Sequence, residues 1–297
     1  MRAKHTFAGL FALAGLLLSS GPTNASPRAA KSRTTDEARH ASRISVQIYR
    51  NFLVVAEGQI GGVPGPANFL VDTGATPSIV NSKVATQLGL ATKPSFSIAL
   101  GTRASAQMAT LPEIDFGPIH ATALPVLVAD LSNFETDFGV AIAGIIGMDV
   151  LSKSDFTLDY DARRIEFGDV SREGIPIDYD AREGIAVASV KIGNKTLRML
   201  VDTGSEFVVL LGGNFGEVGG LGLRNTSQSG ASLAERKIRI QKFSASGIGL
   251  GDRKFDSDSV YFVPGKTDPA FDGLLGVRAL GIRKLSYDRA CETLYLE

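Results

Sequence analysis

Two short stretches of the chain have residue types and spacing that could do chemistry. They are Asp72-Thr73-Gly74 within FLVDTGAT and Asp202-Thr203-Gly204 within MLVDTGSE, with the aspartates 130 residues apart. An apolar run ending in aspartate places a carboxylate at the rim of a strand, where burial raises its pKa. The threonine can donate a hydroxyl hydrogen bond that locks the turn, and the glycine lets another backbone approach the carboxylate. One copy makes a positioned acid and little more. Two copies face to face cannot both ionise cheaply, so they share a proton, one acting as base and the other as acid around a single water. Beyond the N-terminal apolar run only His40 and His120 remain, and no HExxH, GxSxG or CxxC pattern occurs. Hydrolytic chemistry here is therefore expected to run on carboxylates, with no metal and no cofactor.

The elements that must position these residues follow from a repeat. With Asp72 aligned on Asp202, LGL recurs at Leu88–Leu90 and Leu221–Leu223, GIIG at 144–147 matches GLLG at 273–276, and LDYD at 158–161 matches LSYD at 285–288. Gly147 lies 75 residues beyond its aspartate and Gly276 lies 74 beyond its own. Such ordered matches mark a tandem duplication. Short β-branched runs bounded by Gly, Pro, Asn or Asp, such as FLVVAEGQI, ANFLVD, PVLVAD, IAVASVKIG and LRMLVD, read as strands. Helical periodicity is confined to NSKVATQLGL and MDVLSKS. The pattern predicts an all-β chain in which each half closes a small barrel, with a hinge at Gly168–Pro176. The two halves are placed at 44–172 and 173–297. Asp149, Asp159, Asp161 and Asp288 read as surface or turn carboxylates, and Tyr160 and Tyr287 as equivalent packing residues. The glycine-rich GGNFGEVGGLG lacks the Lys-Ser or Lys-Thr of a phosphate loop.

The doubled VDTG and the later IIG and LLG give the chain a resemblance to the aspartic proteases of the pepsin and retropepsin clan, over nearly all of Ile44–Glu297. The resemblance implies two tandem retropepsin/pepsin-like barrel lobes related by pseudo-twofold symmetry, with the active-site cleft between them. It implies catalytic Asp72 and Asp202, with Thr73, Gly74, Thr203, Gly204 and Ser205 supporting the dyad. It also implies that each IIG-type segment packs behind a catalytic loop and leads into a short helix. The activity implied is endopeptidase cleavage of exported proteins or peptides, the alternative being an inert cleft that only binds peptides. Pepsin-like enzymes carry a flap tyrosine, and none of the six tyrosines falls in the first-half hairpin SIALGTRASA. The flap is expected there, with Gly101 and Thr102 near its tip, and its second-half equivalent near Gly230. The chain is thus closer to a retropepsin dimer fused into one chain than to pepsin. Ser205 is the candidate donor to the outer oxygen of Asp202, and Ala75 offers none to Asp72, so the pair should be less acidic overall than in a symmetric site.

Composition bounds the rest. Arg2 and Lys4 precede an apolar run from Phe7 to Leu18 and small residues near Ala25, which reads as a cleaved secretory signal over residues 1–25. Residues 26–43, rich in Ala, Ser and Arg without periodicity, read as a flexible linker. The expected location is exported, periplasmic or extracellular, with no stable membrane insertion. The lone Cys291 allows no internal disulfide. Without the leader the charges are 29 basic against 31 acidic, a balance with no footprint for nucleic acid. The expected partner is a protein or peptide substrate, and with both halves in one chain a monomer suffices.

Overall fold

The computed structural model describes residues 42–99, 102–212, 221–233, 236–264 and 271–297. The expected signal and nearly all of the expected linker lie outside the described residues, as does Gly101. β1 (Arg43–Tyr49), β2 (Leu53–Ile60) and β3 (Ala67–Val71) form an antiparallel meander that ends at Asp72. β4 (Ile79–Asn81) leads into α1 (Ser82–Gln87), whose N-cap Asn81 accepts the Lys83 N–H. β5 (Lys93–Ala99) and β6 (Thr102–Phe116) make a long hairpin, and β7 (Ile119–Ala129) returns along β6 to lie parallel to β4. After α2 (Ser132–Phe138), β8 (Gly144–Ile146) runs parallel to β3 and antiparallel to β4. α3 (Met148–Leu151), β9 (Phe156–Asp159) and β10 (Arg164–Phe167) complete the first half.

The second half repeats these pairings. β11 (Ile175–Asp180), β12 (Ile185–Ile192) and β13 (Lys195–Asp202) form the meander. β14 (Val208–Gly212) lies parallel to β17 (Arg253–Pro264) and antiparallel to β18 (Gly273–Gly276), and β18 is parallel to β13. β15 (Arg224–Leu233) and β16 (Arg236–Leu250) form the matching hairpin, followed by a 3-10 helix at Val277–Leu280, β19 (Lys284–Asp288) and β20 (Thr293–Leu296). The chain is all-β with brief helices, as its pattern predicts, and the two helical stretches read from sequence appear as α1 and α3. Helix α2 has no counterpart among the elements expected from sequence. SNFETDF is too short to show a period, and Phe134 carries its apolar side inward.

The halves meet through shared strands. β1, β10, β9, β19, β20 and β11 form one antiparallel sheet, with β9 against β19 at its centre. Thr157 and Ser286 face each other across that seam, hydroxyl to hydroxyl at 2.9 Å. The Gly168–Pro176 segment is tied to the second half by Arg172, whose Nε lies 2.6 Å from Asp288 Oδ2.

Strands that lead to the aspartates are buried on both faces, which is why they read as unbroken apolar runs. Val54, Ala56, Phe69 and Val71 face the main core. Leu53, Val55 and Leu70 face a second cluster closed by Phe134 and Ile142. β11 lies nearer the surface and alternates, with Ile175, Ile177 and Tyr179 buried between exposed neighbours. Among the described residues no helix is long and apolar enough to cross a membrane.

Candidate active site

Asp72 follows β3 and Asp202 ends β13, each beside a parallel partner strand that fixes where the carboxyl emerges. The Asp72 N–H donates to Ile146 O at 3.0 Å, and Asp202 pairs in register with Gly276. The two loops are joined by four reciprocal hydrogen bonds. Thr73 N–H donates to Thr203 Oγ1 at 3.0 Å, and Thr203 N–H to Thr73 Oγ1 at 3.1 Å. Each hydroxyl then donates across to the other half's strand, Thr73 to Val201 O at 2.9 Å and Thr203 to Val71 O at 3.0 Å. With Thr73 and Thr203 at 1% and 0% exposure, these bonds form away from water, where an unmade one is costly.

The glycines bring the carboxyls together. Gly74 N–H donates to Asp72 Oδ1 at 2.8 Å and Gly204 N–H to Asp202 Oδ1 at 2.7 Å. A Cβ on Gly74 would sit 2.8 Å from Asp202 Cγ, and one on Gly204 would sit 2.6 Å from Asp72 Oδ2. Each glycine thus leaves the space that the other half's carboxyl occupies. Gly204→Ala is expected to push the Asp72 carboxyl aside, costing about 1–3 kcal/mol in a urea melt. A variant with the wild-type urea midpoint would show that the carboxyls have room to move.

Burial raises the pKa of both carboxyls. For Asp72 the Gly74 N–H opposes the rise. Asp202 is held well above the ordinary carboxylate value by its burial and then by the charge of Asp72. Asp202 Oδ2 is buried and has no hydrogen-bond partner among the described residues.

Ser205 does not play the part expected from sequence. Its hydroxyl donates to Phe207 O at 3.0 Å and accepts the Phe207 N–H at 3.3 Å, a local turn that takes it away from Asp202. What Ser205 offers Asp202 is its backbone N–H. The side-chain asymmetry between Ala75 and Ser205 therefore does not set the titration of the pair. Thr102 opens β6 as the register partner of Ala99 on β5, and Gly101, expected near the tip, lies outside the described residues. Gly230 pairs with Arg239 inside β15, several residues before the turn that follows Leu233, so it does not mark the tip.

Behind each loop lies the expected glycine. A Cβ on Gly147 would meet Ala75 O at 2.3 Å, and one on Gly276 would meet Ser205 O at 2.5 Å. The residues just beyond differ in a way that sequence reading missed. Asp149, largely buried, accepts the Ser78 N–H at 3.0 Å and its hydroxyl at 2.6 Å, while Ser78 Oγ accepts the Gly147 N–H at 2.9 Å. Burial raises the Asp149 pKa, with the Ser78 bonds opposing. At the matching position Arg278 donates to Asn51 O at 3.0 Å and stacks 4.9 Å from the centre of the Tyr160 ring. Tyr160 and Tyr287 are both buried but not equivalent: Tyr287 packs edge-on to Tyr179 at 5.2 Å. Burial pushes the Tyr160 phenol above its usual range against the pull of Arg278, with the charges of Asp202 and Asp72 adding to the rise. Glu206, which no sequence pattern singles out, lines a pocket of about 250 Å³ with Phe207, Arg278 and the first half's Arg50, Asn51 and Phe52.

Comparison with known proteins places a family on part of this framework. Residues 56–150 match the family model described as aspartyl protease, a span that runs from β2 through the Asp72 loop to α3. No curated protein matches the chain.

Proposed function

We propose, from a chain whose residues 56–150 are of the pepsin/retropepsin-like aspartic protease family, that the whole protein is a two-lobe aspartic endopeptidase. Asp72 and Asp202 form its catalytic dyad. The observation that carries this reading is the reciprocal threonine bonding, which sets two raised-pKa carboxyls against each other's glycines. The lobes are residues 44–172 and 173–297, and their repeated strand pairings support that division. The substrates are exported proteins or peptides. The leader-like N-terminus supports export to the periplasm or outside the cell, and two aspartate loops in one chain support action as a monomer.

The pair holds one shared proton. Burial raises the pKa of both carboxyls, and the proton belongs to the pair rather than to either residue. The ionised carboxyl takes a proton from the attacking water as the water's oxygen bonds to the amide carbon, and the protonated one gives its proton to the carbonyl oxygen. The tetrahedral diol collapses when the carboxyl that took the water's proton passes it to the amide nitrogen, the C–N bond breaks, and the other carboxyl recovers its proton from a diol hydroxyl. No acyl-enzyme forms. The β5–β6 and β15–β16 hairpins act as flaps, with Thr102 at the start of β6 next to the first tip.

Because both pKa values are raised, the singly protonated pair persists above the ordinary carboxylate value of about 4. Digestion of a proteome-derived peptide library across pH should show a bell-shaped kcat/KM with its maximum at roughly pH 4–7. A maximum below about pH 3 would contradict the burial argument. Absence of cleavage at every pH would leave the inert peptide-binding cleft as the surviving reading.

A further inference from the structure

We propose that Glu206 makes the pocket between the two halves a subsite for one basic side chain of the substrate, lysine or arginine. The inference deepens the endopeptidase reading and rests on it. Glu206 lies four residues beyond Asp202, so at most about 14 Å of chain separates them. An extended substrate with its scissile bond at the dyad covers that distance within about four residues. The pocket, about 250 Å³, opens between the first half's Arg50–Phe52 turn and the second half's Glu206, Phe207 and Arg278, with β17 alongside. Pockets that hold whole small molecules measure roughly 300–1,000 Å³, so this one is sized for a single side chain.

The charges around the pocket are unequally committed. Arg278 donates to Asn51 O, Asn51 Oδ1 and Ile282 O while it stacks on Tyr160. Arg50 lies 4.8 Å over the Phe138 ring, and Lys242 lies 5.7 Å from the centre of the Tyr261 ring. Among the described residues the Glu206 carboxylate has neither a hydrogen bond nor an ion pair. Burial raises its pKa, and the charges of Arg50 and Lys242 oppose that rise without cancelling it. Asp256 and Asp258, both exposed, add negative charge along the β17 wall. An entering cation therefore meets a partly desolvated carboxylate, where an ion pair is worth more than on open surface.

The backbone that presents Glu206 is braced. Ser205 Oγ bonds both the carbonyl and the N–H of Phe207, and Phe207 O also accepts the Gly276 N–H at 3.0 Å. The Phe207 ring packs 4.4 Å from that of Tyr261. The other half of the repeat lacks this charge. Thr76 stands four residues beyond Asp72, and the matching turn closes on it, since a Cβ on Gly184 would lie 2.7 Å from Thr76 Oγ1. The basic side chain is therefore read on one side of the scissile bond only.

The test takes the best-cleaved peptide of the proteome-derived library and remakes it with lysine, arginine or leucine at each position around the cut. Wild type should prefer a basic residue over leucine by about tenfold or more in kcat/KM at one such position. Glu206→Gln should erase that preference, Glu206→Asp should keep most of it, and Glu206→Lys should favour glutamate there. The ratio is read within one preparation, so a change in the folded fraction does not alter it. No basic preference in wild type, or an unchanged ratio in Glu206→Gln, overturns the subsite and leaves the endopeptidase standing. If wild type cleaves nothing, the endopeptidase reading fails, and binding of fluorescent alanine-based peptides carrying a single lysine or leucine decides the subsite. A lysine preference lost in Glu206→Gln supports it, and equal affinities overturn it.

Discussion

Asp202→Asn is expected to abolish peptide cleavage while raising the melting temperature at pH 7. The loss of turnover follows because the carboxyls act as one unit, so removing either removes the proton transfer of both, and a fall of at least about a thousandfold is expected. The gain in stability follows from the raised pKa of Asp202. Below the unfolded-state pKa of about 3.9 both folded and unfolded chains hold the proton. Above it the unfolded chain releases the proton while the folded chain retains it, so stability falls as pH rises through the folded pKa. Every tenfold gain in the folded carboxyl's proton affinity costs about 1.4 kcal/mol of stability, or about 3–6 °C in a chain of this size. Asparagine cannot ionise and escapes that cost. The difference in Tm between variant and wild type should therefore grow from pH 4 to pH 7 and vanish in acid. A variant that still cleaves would refute the dyad. A variant that melts below wild type at every pH would refute the burial penalty.

Thr203→Val should give the largest loss of stability. Valine keeps the shape, so no cavity opens, but the Thr73 N–H and the Val71 carbonyl both lose their buried partner. At about 1–3 kcal/mol for each orphaned group the cost is about 2–6 kcal/mol. Thr73→Val should behave alike, through Thr203 N–H and Val201 O. Because the bonds interlock, the double variant should cost less than the sum of the two singles. Serine at either position keeps the hydroxyl and should restore most of the stability in urea melts. If valine and serine variants unfold at the same midpoint, the hydroxyl bonds are not what joins the loops.

The strand content, the paired aspartate loops and the glycines behind them were legible in the sequence because each depends on a local pattern repeated at fixed offset. Thr73 and Thr203 stand where such a repeat must bring them, next to one another. What escaped was side-chain direction. Ser205 sits where a donor to Asp202 was expected, yet a turn two residues long claims its hydroxyl. Gly230 suggested a tip, but hairpin turns are placed by pairing register, which puts it in mid-strand. Asp149 and Arg278 occupy matching places in the repeat with opposite charges, one bracing Ser78 and the other Asn51. Nothing in their spacing separates a bracing charge from a solvated one.

The threonine bonds and the Thr157–Ser286 seam join residues 128–132 positions apart. Contacts so distant in sequence close late in folding, since the intervening chain must first lose its freedom. A chain emerging from the ribosome past Asp72 but short of Asp202 holds a single carboxyl loop and no seam. The threonine bonds that join the two loops can form only once Thr203 has been made. On the proposed reading, synthesis order keeps the two carboxyls apart until the second loop exists.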